Sequence, residues 1–336
     1  MKIKNKNTKD SVFIIAEIGN NHEGSIELAK EMVYQIAETG ADAVKFQTFK
    51  TESFISIKEK KRFDQLKSFE LKYQDFVNLS NVASDLDLKF ISTPLDLQSA
   101  VFLSEIVDAI KISSGDNNFV QLLKLVSRFD IPIILSSGML NMDELKIIID
   151  GIQYFSSNRI SKENFSILHC VSSYPVEPKS ANLKAIKALS SAFDFTVGYS
   201  DHTMGINASL SAVALGARII EKHFTIDKNH SDFRDHKLSA NFDEMKHLVN
   251  SIREIEQMLG EEEKIIQNSE KQIINSLRRS IVAKKDLSIG KTITKKDITF
   301  IRPGGGLNPS DEKKIVGKKL KYEVKKGDKL LFNHLE

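Results

Sequence analysis

Apolar positions in the first 260 residues fall into two alternating textures. Short runs that are greasy almost throughout, and rich in β-branched residues, alternate with longer stretches whose apolar residues recur every three or four positions. The short runs are VFIIAEIG (12–19), AVKFQT (43–48), KFISTP (89–94), AIKISS (109–114), IPIILSS (131–137), FSILHCV (165–171), FTVGYSD (195–201) and IIEKHFT (219–225). Among the helical patterns between them are SIELAKEMVYQIAETG, ELKYQDFVNLSNVASDL, MDELKIIIDGI and FDEMKHLVNSIREIEQML. Continuous apolar strands separated by amphipathic helices predict a parallel sheet covered by helices. Eight such units in roughly 250 residues predict a (β/α)8 TIM barrel. An open, doubly wound sheet is the alternative, but its first turn normally carries G-x-G-x-x-G, and AEIGNNHEG lacks that spacing.

After Leu259-Gly260 the texture changes. EEEKIIQNSEKQIINSLRR is polar and helix-prone, and reads as a connector. From Ser280 onward short β-prone runs are punctuated by Gly290, the Pro303–Gly306 run, Gly317 and Gly327. The expected organisation is a barrel over 1–262, a linker over 263–279 and a small β-rich module over 280–336. Residues 276–336 hold 16 Lys/Arg against 7 Asp/Glu, a balance of +9, so the rest of the chain is slightly acidic.

Bulk composition narrows the classes. A chain of 336 residues, 41% hydrophobic, can bury a full core, and a net charge of +3 makes no case for nucleic acid. A single cysteine, Cys170, excludes an internal disulfide framework and fits a reducing compartment. The basic N-terminal stretch runs into an apolar segment broken by Glu17, unlike a signal peptide. No segment reaches the ~20 apolar residues of a membrane helix. The expectation is a soluble cytoplasmic protein with no nucleic-acid or membrane partner.

Barrel enzymes place their chemistry where strands end. Those positions here carry Glu17, Lys45, Gln47, Thr93, Lys111, Ser114, Ser136, His169, Ser172, Ser200, Asp201, His202, Glu221 and His223. A lone hydroxyl at a strand end is usually a loop residue. Two lysines and two histidines converging from strands this apolar point instead to a cationic, hydroxyl-lined pocket for phosphate or carboxylate. His202 and His223, closing neighbouring strands, could share a divalent metal or each bond a backbone carbonyl. Lys45 and Lys111 suit an anion clamp or, in an aldolase, a Schiff base. No serine sits in a G-x-S-x-G elbow, and the Pro-Gly-Gly-Gly run reads as a turn presenting Arg302. A non-catalytic binder using the basic tail is a rival from another class; salt-dependent DNA or RNA affinity would mark it.

Taken in order, AEIGNNHEG, DAVKFQT, FISTP, AIKISSGD, ILSSGM, LHCVSSYP, GYSDHT, EKHFT and RPGGGL resemble the sialic acid synthases along nearly the whole chain. The tail resembles type III antifreeze proteins. The resemblance implies condensation of phosphoenolpyruvate with an open-chain N-acetyl-hexosamine, giving a nine-carbon 2-keto acid and phosphate. It implies that Lys45, Thr93, Lys111, Ser114, Ser136 and Ser200 hold phosphoenolpyruvate, and that His202 and His223 hold manganese, magnesium or cobalt. Glu17 would be the acid/base group, with Gln47, Tyr174 and Asp235 on the amino sugar. Arg302 would act in trans across a domain-swapped homodimer. The chain departs from the family at Ser172, where many members have Asn, and in KNHSDFRDHK, which lacks G-P-D. Both positions bear on which sugar is taken: N-acetylmannosamine, or a 2,4-diacetamido sugar that yields legionaminic or pseudaminic acid.

Overall fold

The computed structural model describes residues 1–336 and divides into two compact units, Met1–Gly260 and Glu261–Glu336. In the first, eight parallel strands close into a barrel: β1 (Phe13–Gly19), β2 (Ala43–Thr48), β3 (Lys89–Pro94), β4 (Ala109–Ile112), β5 (Ile133–Ser136), β6 (Phe165–Cys170), β7 (Thr196–Asp201) and β8 (Ile219–His223), with β8 pairing β1. Each lies within the run predicted from the sequence. Helices return the chain between strands, among them Ile26–Thr39, Tyr73–Asp85, Met142–Phe155 and Phe242–Leu259. Their starts follow local chemistry: Ser25, Asp96, Asn141 and Asn241 each accept a backbone N–H of the first turn through the side chain.

The period of two along each strand sorts the barrel into two faces. Outward residues such as Ile14, Val44, Phe90, Ile110, Leu135, Ile167 and Ile220 meet the helices in the main core. Inward residues Phe13, Ile15, Ala43, Ile91, Ala109, Ile134, Leu168 and Ile219 form a second, internal cluster with Met1 and Ile3. Those last two come from a short hairpin, Lys2–Ile3 with Lys6–Asn7. Two residues further along the same strands, the inward face turns polar: Glu17, Lys45, Thr93, Lys111, Ser136 and Glu221. The barrel thus has an apolar plug at one end and an ionisable layer at the other.

Four helices have no counterpart among the patterns read from the sequence: Thr51–Phe54, Glu312–Ile315 and the two that follow. Lys60–Phe69 is mostly charged and buries only Leu66 and Phe69, a stripe too narrow to declare a helix. Arg234–Leu238 is a single turn. Both line the site described below.

Not every buried charge faces inward. Lys222, 1% exposed, points outward from β8, where its ammonium donates to the Thr203 carbonyl and lies 3.4 Å from Asp201. Asp201 also accepts from the Thr203 amide and hydroxyl and from Ser209. Asp201→Ala strands that ammonium without a counter-ion, so it should cost about 3–5 kcal/mol of stability. The check is a urea midpoint measured beside the parent.

The second unit pairs β9 (Ser280–Ala283) antiparallel with β10 (Ile298–Ile301). The rest of its sheet-like character comes from single bridges, such as Leu287 to Val324 and Thr292 to Lys319. Its core is small and apolar, built from Ile281, Ala283, Leu287, Ile293, Ile315, Leu320 and Leu330. The connector residues fall within this unit and hold the helix Asn268–Leu277. No helix is long and apolar enough to cross a membrane.

Candidate active site

Strand register brings the ionisable layer together. Glu17 on β1 pairs in register with His223 on β8 and with Lys45 on β2, while Glu221 pairs with Ser200 on β7. These side chains line one cavity of about 430 Å³, together with Gln47, Thr93, Lys111, Ser114, Ser136, Ser172, Tyr174 and His202.

Four groups form its floor, all 5% exposed or less. Lys45 Nζ lies 2.7 Å from Glu17 Oε2, an ion pair not aligned as a hydrogen bond, and 3.7 Å from Glu221. It also donates to Thr93 Oγ1 at 3.2 Å. Lys111 Nζ donates to Ser136 Oγ at 2.7 Å and sits 3.8 Å from Glu221, whose other contact is a hydrogen bond from Ser200. Burial opposes ionisation of both carboxyls, with different results. For Glu221, Lys111 and Lys45 more than offset it and hold the carboxyl below the usual range. For Glu17, burial wins over Lys45, with the charge on Glu221 adding to it, and the carboxyl is raised. Glu221 is therefore the more acidic carboxyl, set between two ammonium groups, and Glu17 is the one that holds its proton to higher pH. Burial also lowers Lys111, whereas Glu17 and Glu221 overcome it at Lys45 and raise that lysine.

In the same cavity as Lys111 two hydroxyls, Ser114 Oγ and Ser172 Oγ, are buried and unpartnered. A Cβ placed on Gly138 would lie 2.5 Å from each. The two hydroxyls therefore pack directly on the Gly138 backbone, where no side chain fits, and they line the same cavity as Lys111; hydroxyls and an ammonium around one cavity suit the oxygens of a phosphate. Gly138→Ala puts a methyl group against both hydroxyl oxygens, must displace them, and should weaken phosphate-ester binding by about tenfold, roughly 1.4 kcal/mol. A raised KM for the phosphorylated substrate, with the co-substrate KM unchanged, is the expected result.

Opposite the lysines stand the two imidazoles. Their ring centroids are 5.5 Å apart, and His202 Nδ1 is bonded to the Val171 carbonyl at 3.0 Å, so its Nε2 remains for a ligand. His223 Nδ1 is buried with no partner. Burial and the surrounding positive charges push His223 well below the ordinary histidine range, which keeps it neutral, the form that binds metals. One divalent ion at the usual ~2.1 Å from each nitrogen fits this spacing. No cluster of three or more His, Cys, Asp or Glu suited to a metal accompanies it, so the remaining coordination positions would fall to water or substrate oxygens. His169, by contrast, bonds the Ala181 carbonyl and stacks on Tyr199, away from this cavity.

The family model described as the NeuB family matches residues 32–264, and a SAF domain model matches 278–336. The chain belongs to the NeuB family. It is 40% identical to the N,N'-diacetyllegionaminic acid synthase of Legionella pneumophila, over 99% of this chain and 97% of that one. It is 33% identical to the pseudaminic acid synthase of Campylobacter jejuni, over 98% of each. Among solved structures, the N-acetylneuraminic acid synthetase of Leptospira borgpetersenii in complex with citrate superposes with a TM-score of 0.76 at 35% identity, covering 82% of this chain and 96% of that one.

Within this NeuB-family barrel a second cavity of about 270 Å³ adjoins the first. It holds Asp235 with Asn20, Gln47, Tyr174 and His223, and its wall includes Phe54, Leu66 and Phe233. Gln47 bridges the two, donating to Glu17 while accepting from Asn20. Tyr174 lies on His202, centroids 4.2 Å apart, under the Arg234 guanidinium. Burial raises Asp235 despite the adjacent Arg234. Arg302 belongs to the second unit, exposed directly after β10.

Sequence reasoning gave Glu221 no role, although it placed the residue at a strand exit. The missing signal was phase: Glu221 lies two residues after Ile219 and so points inward, as Lys45 does after Ala43. Arg62, which lines both cavities, sits on the unrecognised helix Lys60–Phe69, and no pattern in the sequence marks it.

Proposed function

We propose that this chain condenses phosphoenolpyruvate with the open-chain form of a 2,4-diacetamido-trideoxy hexose, releasing phosphate and a nine-carbon 2-keto acid of the legionaminic type. The observation that carries the reaction is the floor of the first cavity, where two lysines meet one carboxyl held below the usual range and one raised above it, in a cavity lined by idle hydroxyls. The choice of sugar rests on the higher identity to the legionaminic acid synthase and on Phe54, Leu66 and Phe233, an apolar wall suited to a methyl group in place of a hydroxyl.

In this scheme Lys111, Ser114, Ser136 and Ser172 take the phosphate, and Lys45 with Thr93 takes the carboxylate. Gln47, Tyr174 and Asp235 hold the sugar in the adjoining cavity with its aldehyde toward Glu17. As C3 of phosphoenolpyruvate bonds to the aldehyde carbon, Glu17 gives its proton to the oxygen formed there. Glu221, fixed by Ser200, stays ionised and faces the positive character developing at C2. The Glu17 carboxylate then takes a proton from the water adding at C2 and passes it to the bridging oxygen as phosphate leaves; the C2 hydroxyl gives its remaining proton to Glu17 as the carbonyl forms, which restores the acid. A manganese, magnesium or cobalt ion held by His202 and His223 would supply Lewis acidity toward the aldehyde oxygen. Arg302, acting in trans across a domain-swapped dimer, completes the proposal; its support is the resemblance to the family and its place on a turn.

The test supplies phosphoenolpyruvate labelled with 18O at the bridging position, a divalent ion and each candidate sugar. Phosphate carrying the label, and a product mass matching the legionaminic-type acid, are expected. Borohydride trapping of a lysine adduct without phosphate release would replace this reading with the aldolase.

A further inference from the structure

The charged stretch after β8 holds its shape through a contact that the proposed chemistry does not use. Glu23, in the loop after β1, has a left-handed backbone (φ 46°) and turns its carboxylate toward the segment 224–239. Glu23 Oε1 accepts from His236 Nε2 at 3.1 Å and from the Ser231 hydroxyl. His236 is fully buried, and its other nitrogen bonds Thr225 Oγ1 at 2.7 Å. Asn21, two residues earlier in the loop, donates to the Phe224 carbonyl and to Ser239 Oγ, and Ser239 in turn donates to the Asp235 carbonyl. The following residue, Gly24, lies so close to the end of the helix Lys60–Phe69 that a Cβ there would sit 2.1 Å from the Ser68 carbonyl oxygen. Phe69 of that helix meets Phe233 edge to face at 5.2 Å.

The segment this clasp holds reaches the second cavity through Asp232, Phe233, Arg234 and Asp235. The short helix Arg234–Leu238 carries Asp235 into its lining and Arg234 over the Tyr174 ring, and Tyr174 rests on His202. Glu23 and His236 line neither cavity, so they touch no bound molecule there. We propose that Glu23 and His236 are a positioning pair: by pinning the segment 224–239 to the β1 loop they set the affinity of the second cavity for the acceptor sugar, and leave the phosphate cradle untouched. The inference rests on reading that cavity as the acceptor site.

The pair makes a directional prediction. Glu23→Ala removes the acceptor shared by His236 and Ser231, and the freed segment must be ordered again whenever the sugar binds. The KM for the acceptor sugar should rise about tenfold, with the KM for phosphoenolpyruvate and kcat at saturating sugar within about twofold of the parent. Glu23→Gln keeps an oxygen that accepts both hydrogen bonds and should restore most of the sugar KM. Ser231→Ala, a half-buried and milder change, should move the sugar KM in the same direction by less; it serves if Glu23→Ala does not fold.

A second readout is independent of the reaction. Without substrates, Glu23→Ala should become more sensitive to trypsin at Lys228, Arg234 or Lys237, while Glu23→Gln should not. Unchanged cleavage there, or equal rises in both KM values, overturns the positioning role. If the parent releases no phosphate with any acceptor sugar, the assignment of the cavity fails instead, and the trypsin comparison alone decides whether the clasp exists.

Discussion

Glu17→Gln should cut turnover by ~100-fold or more while the KM for phosphoenolpyruvate stays within a few-fold of the parent. The side chain keeps its shape and can still meet Gln47, whose amide rotates to suit, and the groups assigned to phosphate and carboxylate are on other strands. What disappears is the one carboxyl in the floor that burial raises above its ordinary value. The pH dependence gives the sign. A carboxyl raised above its ordinary value acts as an acid below that raised value and loses its proton above it. The parent's kcat should therefore fall as pH rises through the folded-state pKa of Glu17, and this alkaline limb should vanish in the variant. Steady-state phosphate release at several pH values measures both. A variant with near-parental kcat removes Glu17 from the chemistry, and one with a greatly raised phosphoenolpyruvate KM makes it a binding group.

The barrel was legible because its two signals are local. Mostly apolar runs such as AVKFQT and FSILHCV mark strands buried on both faces, and the longer helices between them, such as Ile26–Thr39 and Phe242–Leu259, keep a period near 3.6 over three or more turns. The candidate residues were legible for a related reason. A charged or hydroxylic residue at the exit of such a run must face the mouth or find a partner, so Glu17, Lys45, Thr93, Lys111, Ser136 and Ser200 share one cavity. Pairing was not legible. Nothing in the letters says that Glu221 would stand between Lys45 and Lys111, because that depends on closing β8 against β1, a contact between residues some 200 positions apart. The clasp between Glu23 and the segment 224–239 was hidden for the same reason. The helix Lys60–Phe69 was hidden for another: half of its residues are charged, and only Phe63, Leu66 and Phe69 form an apolar stripe, of which two are buried, too faint a trace to mark a helix.

His202→Ala should lower the affinity for a divalent ion by more than the ~10–100-fold that losing an outer-shell partner costs, and activity should disappear at ordinary metal levels. Two features make the loss severe. Only two imidazoles stand at this place, so removing one leaves a single protein ligand. His202 is also held in one tautomer by the Val171 carbonyl, so its free nitrogen is already aimed and costs nothing to orient. The effect on packing is the competing explanation, because Tyr174 rests on the His202 ring. Metal titration separates the two. If the imidazole is a ligand, excess manganese should restore part of the rate, and the parent should lose activity in a strong chelator and regain it when the ion returns. If the ring only supports Tyr174, the variant should show a raised sugar KM that no metal concentration corrects. Full activity of the parent in the chelator would remove the Lewis acid from the scheme and leave Glu17, Lys45, Lys111 and Glu221 to carry the reaction alone.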